Sequence, residues 1–228
     1  YFDSRVPEEG AMAMQSLEAV KPIMEKWMGV KRDRSDPLKV VMSNVTRNAS
    51  FANFILDAIE LQTPNNNIRD LAWHEYAHST MYLHYNNIFG SPGSILHILW
   101  MPAWFLEGLA EVFSVSVGSD YQAGVERWQA LSGNWPSYDR LHSLYQNVKW
   151  SGRGYATSGS LVAWLLRKMY QNPSAEFGEL EDFLKDFRDE TMPWSWFTNY
   201  ALPMEDTFEK SIGLSGSELY DKYKKEAN

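Results

Sequence analysis

The residues that could do chemistry in this chain are concentrated in two short stretches. The first is His74-Glu75-Tyr76-Ala77-His78, an HExxH pattern in a chain with only five His. On an α-helix, residues four apart lie on the same face, so His74 and His78 can grip one cation together. Glu75 is turned from His74 by about 100°, close enough to reach a water on that cation without ligating it. The second stretch is Pro102-Ala103-Trp104-Phe105-Leu106-Glu107-Gly108-Leu109-Ala110-Glu111. A catalytic zinc site takes three protein donors and keeps one position for water, so two imidazoles need one more partner. Glu107 and Glu111 again share a helical face. Glu107 can complete the coordination, and Glu111, one turn on, can accept the second ring N–H of a ligating His and fix its tautomer.

Both stretches have to be helical for this to work, and their surroundings predict that they are. Thr63–Asn67 is turn chemistry, after which a helix is expected from Ile68 to Tyr85. Asn86–Gly93 reads as a loop and Ile95–Trp100 as a short apolar piece, and Pro102 suits the opening of a second helix reaching Val117. HExxH on a helix is the arrangement of metalloproteases, two ligands and a general base. His84 is a rival third ligand, because it follows His78 at the metzincin spacing. That signature needs Gly three residues after the second His to break the helix, and position 81 is Met. On a continuing helix six residues turn through about 600°, so His84 is read as a helix-end or surface residue.

The two stretches together resemble the gluzincin metallopeptidases, the superfamily of thermolysin, aminopeptidase N and the bacterial collagenases. The wording Trp-Phe-Leu-Glu-Gly-Leu-Ala-Glu is most similar to its small peptidase MA-like members. The resemblance implies Zn²⁺ held by His74, His78 and Glu107, Glu111 as the partner of a ligating His, and Glu75 as general base. It implies a thermolysin-like zincin domain: α+β, mostly helical, with a small N-terminal sheet, the HExxH helix and a helical C-terminal part. An edge strand of that sheet, within Asn48–Phe54 or just after it, would pair with substrate backbone. Families of this kind also use Tyr or His to donate to the oxyanion. Gly152-Arg153-Gly154-Tyr155-Ala156-Thr157-Ser158-Gly159 is similar to their Tyr-plus-small-residue helix start, which makes Tyr155 the candidate donor. His142 is the substitute, and Arg153 could steer a substrate carboxylate. The Gly-x-Met-Glu-Asn exopeptidase motif of the aminopeptidases is missing, which tilts the expectation to an endopeptidase. By analogy the setting is extracytoplasmic, in a bacterium, with flanking domains outside this chain.

The rest of the chain is that of a folded globular protein: 228 residues, 44% hydrophobic and 14% aromatic, long enough for one domain with a packed core. The ten Trp and twelve Tyr are read mostly as core. A net charge of −8 with no basic cluster argues against a nucleic-acid role. The absence of Cys excludes thiolate zinc sites. No apolar run reaches membrane-spanning length. No signal peptide is visible, and a start at Tyr1 points to a processed or excised segment. Residues 1–228 are read as one domain, with a sheet-plus-zinc-helix portion at 1–118 and a helical portion at 119–228. In the first, residues 7–28 form an amphipathic helix that Pro22 kinks or divides. Lys31–Pro37 is a charged link, Leu38–Val45 a buried strand, and Phe54–Leu61 a second strand or, equally, a helix. In the second, helical spacing recurs at Tyr121–Leu131, Asp139–Gln146, Tyr155–Tyr170, Ala175–Asp189 and Ser215–Glu226, broken at Trp135-Pro136 and Pro193-Trp194. Two other classes compete with a peptidase acting on peptide or protein substrates. One is a non-catalytic helical interaction or scaffold domain holding a zinc. The other is a zinc hydrolase of a non-peptide amide or ester.

Overall fold

A computed structural model describes residues 7–32, 37–43, 50–53, 58–84, 101–118, 135–142, 151–171, 182–184 and 203–227. Two compact units result, one of Tyr1–Ile95 with Phe113–Ser119 and one of Leu96–Val112 with Asp120–Asn228. The described residues are mostly helical with one small sheet, as expected. None of their helices is long and apolar enough to cross a membrane. Of the expected elements, the loop 86–93, the apolar piece 95–100, the helices 121–131 and most of 175–189, and the break at 193–194 lie outside the described residues.

The first unit begins with α1 (Pro7–Trp27), which buries Gly10, Ala13, Leu17, Val20 and Met24. Their alternating three- and four-residue steps trace one face of a helix, and each large side chain among them contributes about 2 kcal/mol when fully buried. Pro22 does not divide α1 in two; the helix runs through it as a single element. Pro22 and Glu18, whose carbonyl loses its usual donor there, are both exposed, so water can satisfy the freed group.

The sheet holds β1 (Lys39–Ser43), β2 (Phe51–Asn53) and β3 (Ala58–Gln62) in the order β1-β3-β2. The 54–61 ambiguity resolves as strand over 58–62, with 54–57 outside the described residues. β3 pairs parallel with β1, Val40 opposite Ile59 and Met42 opposite Leu61. It pairs antiparallel with β2, Ala52 opposite Ile59. In β1, Val40 and Met42 point inward while Val41 is exposed, the two-residue alternation of a half-buried strand. Among the described residues β2, inside the 48–54 stretch, is an edge, whereas β3 is central.

The turn at 63–67 is closed by Asn65, whose side chain accepts the Asn67 N–H at 2.8 Å. From it springs α2 (Ile68–His84), which packs on α1 and on β2 and β3. Two cross-links fix α1 beside it: Trp73 Nε1 donates to Ser16 O at 3.3 Å, and Asn65 N donates to Glu9 Oε1 at 3.2 Å.

The second unit includes most of α3 (Ala103–Ser116). Pro102 opens it as expected, its carbonyl accepting the N–H groups of Phe105 and Leu106 at 2.9 and 3.1 Å. Trp104 stacks on Phe208 at 5.5 Å, and Phe105 and Phe208 both pack on Phe183. Phe113, in the last turn, counts with the first unit, its ring 5.7 Å from Trp27. The remaining elements are α4 (Tyr138–His142), α5 (Ser151–Gln171), α6 (Pro203–Ile212) and α7 (Gly216–Ala227). α6 ends at Gly213, whose φ of 72° is left-handed backbone that glycine adopts without strain. α7 starts on a reciprocal cap in which Glu218 N–H donates to Ser215 Oγ and Ser215 N–H to Glu218 Oε2. α7 is held on α5 by Trp164 Nε1 donating to Glu226 and by the Ser160–Tyr223 hydroxyl pair. α5 begins at Ser151, earlier than the residue spacing indicates.

Candidate metal centre

α2 carries both histidines of the HExxH stretch, and the four-residue spacing brings them together as expected. His74 Nε2 and His78 Nε2 are 3.1 Å apart. Their rings meet edge to face, with centroids 4.8 Å apart and an interplanar angle of 80°. One ligand atom each from His74, His78 and Glu107 lie within 4.8 Å of one another. His74 is half-buried, whereas His78 and Glu107 are buried.

This donor set suits a divalent transition metal. Zinc–nitrogen bonds of about 2.0–2.1 Å in a tetrahedron put neighbouring ligand atoms about 3.3 Å apart. The observed 3.1 Å between imidazole nitrogens is close to that edge, and all three ligand atoms fall within 4.8 Å of one another. Two imidazoles and a carboxylate also match the borderline ligand preference of zinc, and accept several related ions.

The neighbours of the donors are polar and interior. Glu75 and Glu111 are buried, and burying a carboxylate is costly unless donors or a cation face it. Tyr76 belongs to the interior: burial, then the charge of Glu25, pushes its phenol up to about 12. Thr80 Oγ1 donates to Tyr76 O at 2.9 Å, one turn along the same helix. α2 runs unbroken through Met81 to His84, its last residue. The helix break that a metzincin ligand requires is therefore not made. The side chain of His84 is outside the described residues, as is that of Arg153.

Tyr155 is half-buried and lies in the second turn of α5, not ahead of that helix. His142 closes α4 with its ring against Tyr138 at 5.8 Å.

Three residues near these groups were not singled out by sequence reasoning. Arg32, in the charged link, is buried, with Nη2 donating to Ser79 Oγ at 2.8 Å and its backbone N–H to Glu25 Oε1 at 3.0 Å. It ties the end of α1 to the residue after His78. Nothing in the link's composition signals this, since charged residues in such segments are ordinarily solvated. Gly108 and Gly159 are the others. A Cβ on Gly108 would lie 2.5 Å from both Ser158 O and Val162 Cγ2, and one on Gly159 would lie 3.0 Å from Glu111 Cβ. α3 and α5 thus meet closer than side chains at these positions allow. The signal for Gly108 is its place directly after Glu107; Gly159 offers none.

No protein-family model matches the sequence, and neither a curated protein nor a solved structure matches it.

Proposed function

We propose that this chain is a zinc metallopeptidase of the gluzincin type, with a thermolysin-like arrangement of its site, that cleaves peptide bonds as an endopeptidase. The observation that supports the reading is the convergence of His74, His78 and Glu107 within 4.8 Å, the three residues that the HExxH and Glu-Gly stretches nominate. These residues would hold the ion. When bound, zinc would supply Lewis acidity and make a water acidic enough to lose its proton near neutral pH.

The chain's own residues do the rest. Glu75 takes the water's proton and passes it to the leaving amine, a role a carboxylate can fill in both directions. Glu111 accepts the second ring N–H of a ligating His and so fixes which nitrogen faces the ion. The Tyr155 phenol donates to the oxyanion that develops on the scissile carbonyl. β2, as an edge strand, offers backbone groups to an extended peptide. An extracytoplasmic setting with flanking domains that supply specificity belongs to the same proposal.

Elemental mass spectrometry of wild type and Glu107→Ala, followed by a peptide-library digest of wild type and Glu75→Gln, tests it. About one zinc per chain, lost in Glu107→Ala, together with cleavage that Glu75→Gln abolishes while keeping its zinc, is the expected result. Wild type that takes up no zinc on reconstitution refutes the site. Zinc retained without hydrolysis of any peptide points to a scaffold, and hydrolysis only of other amides or esters to a different hydrolase.

A further inference from the structure

α3 brings two carboxylates to one face, and what seats that face is the close approach of α5. At Gly108 the neighbour is backbone: a Cβ there would lie 2.5 Å from the Ser158 carbonyl oxygen and 2.8 Å from its carbon. Backbone cannot rotate away as a side-chain tip can, so any side chain at Gly108 drives the two helices apart. At Gly159 the relation is reversed, because a Cβ on α5 would lie 3.0 Å from Glu111 Cβ and 3.7 Å from its Cγ. Here a shift of a few tenths of an ångström suffices, and the group that must shift is Glu111. Thr157 and Ser158 are fully buried on α5, and their hydroxyls find no hydrogen-bond partner among the described residues. These two hydroxyls thus take no part in joining the helices, and small size is what the contact asks of this stretch of α5. Helices normally pack about 8–10 Å apart with side chains between them; missing side chains are what let backbone and carboxylate stem touch directly.

We propose that Gly159 is a positioning residue for the metal centre, acting through Glu111. Its missing side chain sets where the Glu111 stem rests and so where its carboxylate reaches. The inference rests on the reading of Glu111 as the partner of a ligating His. Outer partners of metal ligands govern affinity by orienting those ligands, and disturbing one costs about 10–100-fold. Gly159→Ala keeps α5 helical, since Ala is the better helix former, and moves Glu111 slightly instead of removing it.

The experiment is zinc affinity, measured by competition with a chromogenic chelator on the full chain. The proteins are wild type, Gly159→Ala, Glu111→Gln and the double variant. Thermal unfolding of the chelator-treated proteins reads the fold. Gly159→Ala is expected to fold and to bind zinc about 10-fold more weakly, with less than about a 2-fold further loss when it is added to Glu111→Gln. A purely structural glycine would lower the melting temperature and leave zinc affinity alone, or would add its full effect in the double variant. Either result overturns the inference, as does a Gly159→Ala chain that fails to fold. Wild type that binds no zinc removes the underlying metal centre, a failure distinguishable from a normal wild type with an indifferent Gly159→Ala.

Discussion

Replacing Glu107 by Gln is the most direct perturbation of the proposed centre, because it keeps the side chain's size and removes the anionic donor. Glu107 is buried and its ligand atom lies within 4.8 Å of those of His74 and His78, so the change falls on one of three donors. A ligand that binds only the folded state stabilises it by RT ln(1 + [L]/Kd), about 4.1 kcal/mol at 1,000-fold excess over Kd. For a chain of this size each kcal/mol moves the melting temperature by about 2–4 °C. Wild type with that excess of zinc should therefore melt about 8–16 °C above its chelator-treated form. Loss of a direct ligand weakens binding at least as much as loss of an outer partner, about 100-fold. At the same zinc concentration the ratio falls to about 10, which leaves about 1.4 kcal/mol and a shift of about 3–6 °C. The assay is circular dichroism melting of both proteins, with and without zinc, and the quantity compared is the zinc-induced shift within each protein. Equal shifts would refute Glu107 as a ligand and move the third donor to Glu111 or His84.

Further outcomes are expected at other positions. Glu75→Gln should lower peptide hydrolysis by about 10²–10⁴-fold at unchanged zinc content, read by a quenched-fluorescence digest beside elemental analysis. Arg32→Met keeps the apolar stem but removes the donor to Ser79, costing about 2 kcal/mol and lowering the melting temperature by about 4–8 °C; an unchanged melt would show the buried guanidinium to be dispensable. Pro22→Ala should raise stability by about 1–3 kcal/mol, since it restores the hydrogen bond to Glu18 in an exposed helix interior, and urea unfolding measures it. Glu226 has its carboxyl lowered from 4.5 by hydrogen bonds from Lys168 and then Trp164. A carboxylate lowered in the folded state adds stability above its unfolded pKa and loses it as pH falls through the folded one. The gap in melting temperature between wild type and Glu226→Gln should be full above pH 4.5 and close below it.

Much of the local structure was legible because it is set by neighbours in sequence. The apolar spacing of α1 and the Pro102 start of α3 each depend on a few consecutive residues, and the geometry of a helix turns such spacing into a face. The pairing of His74 with His78 is of this kind, a four-residue spacing that the helix converts into two nitrogens 3.1 Å apart. Other features depend on partners distant in the chain. Residues 58–62, Ala-Ile-Glu-Leu-Gln, are too short a segment for periodicity to assign, and they are a strand because β1 and β2 flank them. α5 begins at Ser151 although Gly152 and Gly154 weaken its first turns. Arg32 is interior because Ser79 and Glu25 meet it there, which composition cannot foresee. Sequence alone thus determined α1, the site helix α2, the Pro102 start of α3 and which side chains could act as donors, since backbone periodicity is local. Only the tertiary structure decided that Glu107 joins the two histidines and that glycines seat the helix carrying it, because those distances depend on packing between segments far apart in the chain.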